Sequence, residues 1–511
     1  MKSREVAIGS CLLVSAVLGV GVLEAQLWAQ AEEPAPLVVT EDTTWSGSVT
    51  VDAPVNVEKG TLTISPGSVV TFKEPGVITL SRDAALSAKG TAEKPIRFAG
   101  DNVGQVRGSI CQAVFEHVQV SGVGVADGNK RRTWLAASTG KGGIAVRWCS
   151  MTNAGGVAIR LEEGPAEITG CEFRGCEDPI RVSGKRKALI ASNTLRSGGI
   201  AVGSGIDATV RGNVIIGGTL SGWHAKQLLV EGNYVHQPLA RTTYGVLRVQ
   251  GILRNNVVRG GTWVTSQIGG QITGNVFISV ITQEVMTSNR RLDQDFTHEH
   301  ICGLVADSTV SRNIFVGGSY AGVMGIGEGT GSNSIIRNNT FDMRGRGQPV
   351  TLNHFPENKA RDIRIRNNIF MRCGPVWNEW GTPGSVRSID YNLWADAGSK
   401  ERFRNFKNDI AAGMTPGEPG FGGHDVPPFP ERATVLSPAS VVVNPDVTFP
   451  FTDEEMLARR HAVAEILKVY RDAYTLKPDS PAINAGDPTD RDDPTVEDGK
   501  PDIGALERAG K

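Results

Sequence analysis

One short polar stretch concentrates the residue types that do chemistry. Ser288 to Ile301 reads SNRRLDQDFTHEHI and carries Arg290, Arg291, Asp293, Asp295, His298, Glu299 and His300. If the end of this stretch is extended, His298 and His300 point to the same side, because side chains alternate along a strand. An H-x-H pair supplies two ligands to a transition metal, and Asp293 or Asp295 is the candidate third. The same two aspartates are candidates to hold Ca²⁺ through their oxygens. Removing a proton beside a sugar carboxylate needs a base and a cation to steady the developing charge, and His298, His300, His354 and Arg291 are of the right types. Glycoside hydrolysis would instead need two carboxylates at a set separation, for which Glu299 and Glu379 are the candidates. The plain alternative is a solvated loop whose charges pair with one another.

These residues are positioned by a repeat. A ladder-like series of asparagines, Asn193, Asn213, Asn233, Asn256, Asn275, Asn313, Asn339, Asn368 and Asn392, recurs at steps of 20, 20, 23, 19, 38, 26, 29 and 24 residues. Each Asn opens a short apolar run, which in most coils is followed by Gly. Self-similarity at this period is the signature of a solenoid, with one coil per repeat. Three short runs rich in Val, Ile and Thr fit in each coil, so three parallel sheets should enclose one thin core. Asn suits the tight bend because it tolerates left-handed backbone angles, and its amide can bond the Asn stacked above it. The 38-residue step holds the polar stretch as an insertion of about 16 residues, leaving one coil after Asn275 and returning at Cys302–Ala306. Loops on a rigid scaffold are where function concentrates.

Aligning the coils places residues 219–225, 244–249, 262–267, 321–327, 349–354 and 375–380 on one sheet. Outward candidates there are His224, Arg248, His354 and Glu379, with Trp223, Trp263, Trp377 and Trp380 close by. Indole faces beside carboxylates and histidines suit a sugar chain, although each Trp could equally serve packing.

The chain has 511 residues with a formal net charge of −1, which argues against a nucleic-acid partner that needs a strongly basic face. Met1–Ala31 reads as an export signal: Lys2 and Arg4, an apolar run, then Ala29-Gln30-Ala31. It implies a secreted or periplasmic protein with no membrane attachment once the segment is cleaved. Six cysteines follow it, and Cys149 and Cys171 fall at the position that Asn fills in later coils. Stacked coils are about 4.8 Å apart, but side chains stacked in parallel point the wrong way for a disulfide, which favours buried thiols. Ala126–Lys141 reads as a polar insertion. Near the end, Thr452-Asp453-Glu454-Glu455 is a capping box opening a helix over Asp453–Arg471. Met456, Val463, Ile466, Leu467 and Tyr470 share its apolar face, which is expected to close the open end of the solenoid. The acidic run Asp487–Asp502 is either a structural Ca²⁺ loop or a solvated turn.

The Asn-centred coils resemble the right-handed parallel β-helix of pectate lyases and related proteins. Gly60–Phe72 and Gly90–Phe98 resemble the opening coils of secreted bacterial β-helix proteins, and LKPDSPAINAGDP with PDIGALE resembles their ending. The resemblance implies an all-β, right-handed parallel β-helix of about 12 coils. It divides the chain into a signal segment (1–31), a β-rich opening and cap (32–98), the β-helix (99–399) and an irregular, helix-containing C-terminal segment (400–511). In that fold, loops at the corner after the ladder strand wall a groove that the next strand floors. The function it implies is binding, and cleavage by β-elimination, of an acidic polysaccharide. A non-catalytic surface or matrix protein and a glycoside hydrolase are the alternatives. Arg364-Ile365-Arg366 stands just before a ladder Asn, the wrong place for a polygalacturonase-type motif, which lowers the hydrolase reading.

Overall fold

The computed structural model describes residues 34–100, 104–123, 133–154, 156–222, 225–237, 247–249, 251–260, 264–265, 270–278, 300–304, 307–317, 321–325, 333–344, 348–351, 362–373, 386–395, 437–459, 461–487 and 501–506. These form the expected parallel β-solenoid. One coil shows the plan. After Asn193 come the strands Thr194–Arg196, Ile200–Val202 and Asp207–Arg211, and then Asn213 opens the next coil. Each strand pairs in parallel with its equivalent one coil on, with Thr194 opposite Val214, Ile200 opposite Leu220 and Asp207 opposite Gln227.

Three columns of strands result. The first, immediately after the ladder position, is a 15-stranded sheet from Ser48–Val51 to Leu393–Ala395. The second and third are fused in the early coils, where Pro54–Ile64, Val77–Lys89, Val106–Glu116 and Thr133–Arg147 bend through both, with register shifts at the bend. An irregularity of this kind lets a strand turn a corner without ending. The polar stretch Ala126–Lys141 is thus strand in its second half, since Thr133 and Leu135 pair with Val157 and Ile159. Its first residues, 126–132, lie outside the described residues.

The asparagines form one continuous column. Each ladder Nδ2 donates to the Oδ1 of the next Asn at 2.9–3.0 Å, from Asn193 through to Asn392. The same Oδ1 also accepts the backbone N–H of the preceding ladder Asn, so the amides of the ladder itself are satisfied. The spacing holds at 2.9 Å across the 38-residue step, so the insertion leaves the corner undisturbed. The left-handed backbone belongs to the residue before the ladder Asn, not to the ladder Asn itself. Ser192, Gly212, Gly232, Asn255, Gly274, Arg312, Asn338, Asn367 and Tyr391 have φ between 52° and 68°. The bend and the amide column are therefore separate jobs on adjacent residues. Cys171 sits at the ladder position as expected, its backbone N–H donating to Asn193 Oδ1 at 2.9 Å. Cys149, Cys171 and Cys176 are buried free thiols, and burial pushes the Cys149 thiol well up.

Inside, the middle residue of each first-column strand stacks on its neighbours. Phe277, Phe315, Phe341 and Phe370 lie with ring centroids 5.0, 4.5 and 5.3 Å apart. Offset stacking of this kind adds to the area that the rings bury.

The C-terminal segment differs from expectation in two ways. Its helix is two helices, Asp453–Leu457 and Val463–Tyr474, although the capping box is present, with Glu455 N–H donating to Thr452 Oγ1 at 3.3 Å and Thr452 N–H to Glu455 Oε2 at 2.8 Å. It also runs along the side of the solenoid. The first helix packs on Thr194–Arg196 and Val214–Ile216, the second on Val257–Arg259 and Ile314–Val316. The reason is an unusual sheet. Val214, Ile216, Val276, Ile278, Ile314, Val316, Ile369 and Met371 point away from the solenoid core yet are apolar and buried against Met456, Ile466, Leu467, Tyr470 and Tyr474. An apolar outer face has to be covered, and this arm covers it.

Candidate functional site

A solenoid with three columns offers three outer faces, and the arm removes one of them. Its seat is made specific by buried charge. Asp342, fully buried, is paired bidentately with Arg372 and accepts the Tyr474 hydroxyl at 2.7 Å. Arg372 in turn holds Asp446 and donates to Pro445 O at 2.7 Å, so one guanidinium ties the sheet to the arm. Further along, His236 Nδ1 lies 2.7 Å from Asp453 Oδ1, and the Tyr234 hydroxyl donates to the same oxygen at 3.3 Å. The two ending motifs pair with each other and with the coils. Ile503 N–H donates to Ala482 O at 2.9 Å, Asn484 N–H to Asp502 Oδ1 at 2.7 Å, and Gly504 N–H to Asn367 O at 2.8 Å. Asp487 meets Arg366 at 3.0 Å. The motif residues are thus a clasp between arm and solenoid, and the two ends of the acidic run, Asp487 and Asp502, are part of it.

The second column is where the sequence placed the groove floor. Its strands appear where the coil alignment put them: Leu220–Gly222, Leu247–Val249, Val264–Thr265, Ala321–Gly325 and Gln348–Thr351. The strand after the long insertion begins at His300, two residues before Cys302, with His300 opposite Ala321. Arg248 lies opposite Ser221. The backbone therefore puts Arg248 and His300 on this column. Arg291, Asp293, Asp295, His298, Glu299, His354 and Glu379 lie outside the described residues, as do Trp223, His224, Trp263, Trp377 and Trp380. Among the described residues, no group of three or more His, Cys, Asp and Glu side chains could hold a metal ion.

The third column carries a groove that no sequence motif marks. It is about 1150 Å³ in volume and runs from the strand Val77–Lys89 to the residue before Gln271–Thr273. Eight coil steps at about 4.8 Å make it roughly 38 Å long. Strand alternation builds it: the inward residues Ala188, Ala208 and Val230 fill the core, while Lys187, Leu189, Asp207, Thr209, Gln227 and Leu229 face out. Lys187, Asp207 and Gln227 are Cα partners across three coils. One carboxylate oxygen of Asp207 is buried without a hydrogen bond.

Its charged lining is Lys89, Arg147, Lys187 and Lys226 against Glu167 and Asp207. Arg147 is already committed, with Nε and Nη2 on the two oxygens of Glu167 at 2.9 and 2.6 Å and Nη1 on Glu116 at 2.8 Å. Glu167 first, and Glu116 after it, raise the guanidinium pKa, and Arg147 holds the Glu167 carboxyl below the usual range. This triad is a fixed wall at one end. The lysines remain as the adaptable cations. The signal that could have found them is register: an Asn column fixes which residues of successive coils share a row.

No family model matches the sequence, and no curated protein matches it. Solved structures do. A PL6 family alginate lyase, AlyGC, is 13% identical over 70% of this chain and 52% of its own, with a TM-score of 0.34. The chain thus spans about half the length of that enzyme. The pectate lyase Pel9A is 13% identical over 93% of this chain and 98% of its own, with a TM-score of 0.31. A PL6 alginate lyase in complex with a trisaccharide is 13% identical over 65% of this chain and 79% of its own, with a TM-score of 0.27. At this identity and overlap the likenesses concern architecture and carry nothing about substrate or site.

Proposed function

We propose that this is an exported β-helix protein that binds an acidic polysaccharide along an open lateral face. The observation that carries the reading is the charge balance of the third-column groove. Four basic side chains line it against two acidic ones; Arg147 and Glu167 pair off, which leaves Lys89, Lys187 and Lys226 against Asp207. A long, shallow track with spaced lysines suits a flexible chain carrying a carboxylate on each unit, because some of its units can meet a lysine without a deep pocket. Export rests on the Met1–Ala31 segment.

Affinity electrophoresis through gels containing polygalacturonate, alginate or neutral dextran tests this. Retardation by the acidic polymers, weakened by salt and by Lys187→Glu with Lys226→Glu, is expected. Equal mobility in all three gels would remove the reading.

Cleavage is the stronger form of the same proposal and would fall to the second column. The candidate base and neutralising groups are His298, His300, His354 and Arg291, with Asp293 and Asp295 for Ca²⁺. The reading is supported by the backbone placement of His300 and Arg248 on one column. Its test is ultraviolet absorbance of unsaturated product from polyuronates with and without Ca²⁺. Binding without product at any Ca²⁺ level leaves the non-catalytic binder.

A further inference from the structure

We propose that Trp148, with His117 behind it, is an aromatic anchor for one pyranose ring at the rim of the third-column groove. This rests on the polysaccharide reading above and gives that chain a fixed point. Trp148 is 55% exposed, and it directly follows Arg147 of the groove wall. Apart from it, the exposed large hydrophobic residues among those described are Leu37, Val38, Ile252 and Val443, so it is the one exposed aromatic among them. Ile252, at 41%, is itself in the groove lining.

The turn does not demand this indole. Trp148 has φ of 52°, a left-handed conformation that bulky side chains avoid. The equivalent corners of other coils carry Gly170, Gly212 and Gly232, and also Ser192, Arg312 and Tyr391, so the turn accepts many side chains and requires no indole. A large aromatic ring kept in solvent where glycine or serine serves elsewhere points to use of the ring.

The ring is also held in place. His117 stacks on it with centroids 5.2 Å apart and planes 22° from parallel. On the other side it lies against Gly170, where a Cβ would meet Cδ1 at 2.7 Å, Nε1 at 3.1 Å and Cγ at 3.7 Å. All three are atoms of the five-membered ring. Glycine at 170 leaves room for the ring, and the residue stays 55% exposed, so part of the aromatic surface remains open to a ligand. The axial C–H patch of a pyranose fits such a face, positive hydrogens on a negative π surface. The carboxylates of the following units would then meet the groove lysines.

Full-length protein, Trp148→Gly, Trp148→Phe and the Lys187→Glu/Lys226→Glu double variant would be titrated with oligogalacturonate and oligoguluronate of defined length, by calorimetry and indole fluorescence. Glycine suits the backbone at 148, so the melting temperature of Trp148→Gly should hold or rise. Its affinity should fall about tenfold, with Trp148→Phe between it and wild type. The ligand-induced fluorescence change, read against the other tryptophans by difference, should vanish in both variants. Unchanged affinity in Trp148→Gly, while the lysine variant loses binding, would overturn the anchor and leave the groove. A melting temperature lowered in parallel with affinity would overturn it as well, by making the ring a packing element. Failure of wild type to bind either oligomer would remove the polysaccharide reading and the anchor with it.

Discussion

The first and third columns are built on the same coil, the same amide ladder and the same coil spacing, yet one outer face is sealed and the other open. The difference lies in the residues that point away from the core. On the first column these are Val214 and Ile216, Val276 and Ile278, Ile314 and Val316, all buried beneath the arm. On the third column the outward residues are Lys187, Asp207 and Gln227, with only half-buried apolar neighbours such as Leu189 and Leu229. A solenoid does not choose its binding face by its fold. The outward half of each strand decides, coil by coil, whether a face is covered by more chain or left for something else.

The same substitution on the two faces is the strongest way to break this comparison. Ile314→Asp places a carboxylate under the helix Val463–Tyr474 at a position 1% exposed. It should cost about 4 kcal/mol in urea unfolding, since the charge has no partner there. The arm should become sensitive to protease and the sheet should bind a hydrophobic dye. An unchanged unfolding midpoint would mean that the arm is not seated on this face.

Next in size is Asp342→Ala. It leaves Arg372 partly buried with only Asp446 and Pro445 for company and removes the nearer acceptor of the Tyr474 hydroxyl, which keeps only Pro445 O at 3.4 Å. Loss of one partner of a buried pair predicts about 3 kcal/mol of destabilisation. Tyr474→Phe should cost less, about 1 kcal/mol, because it removes one hydrogen bond and leaves the ion pair. If the two variants lose the same stability, Arg372 is not the tie between sheet and arm.

A smaller effect should appear with pH. His236 is buried, and burial is the main cause that lowers its pKa, with Arg259 adding to it and Asp453 opposing. A histidine whose folded pKa lies below its unfolded value of about 6.5 takes up its proton more readily in the unfolded chain. Its stabilising share is therefore complete above about pH 6.5 and is lost as pH falls through the lower, folded value. The arm should loosen on mild acidification, read as a falling unfolding midpoint below that pH, and His236→Gln should flatten the slope. A midpoint that rises on acidification would show that Asp453 dominates instead.

Much of the fold was legible because a solenoid writes its geometry into its period. The nine asparagines gave the coils, the columns and the position of Cys171 before any coordinate. The cover over the first column was legible too, but unread. Val214-Ile215-Ile216, Val276-Phe277-Ile278 and Ile314-Phe315-Val316 have no polar member, and a strand apolar on both sides is buried on both sides. Their inward halves alone account for the core and leave the helix Val463–Tyr474 only the open end to cover. The third-column groove was harder to see for a different reason. Its lysines form no motif along the chain, and only stacking brings Lys187 beside Asp207 and Gln227. Trp148 was hidden by the reverse problem, since a Trp in an apolar run, RWCSM, reads as core until the corner turns it outward.

The smallest predicted effect completes the comparison. Leu229→Asp, the counterpart of Ile314→Asp on the open column, faces solvent in the groove and is already half exposed. Surface changes away from buried features stay within about 0.5 kcal/mol, so its unfolding midpoint should match wild type. Its binding should not match. A carboxylate beside Gln227 and Lys226 repels an anionic chain and draws off a lysine, so affinity for polyuronates should fall while stability holds. Loss of binding without loss of stability here, against loss of stability at Ile314, separates a face left for a ligand from one closed by the protein's own chain. A Leu229→Asp protein that unfolds as readily as Ile314→Asp would place the third column, too, under some covering segment of the chain.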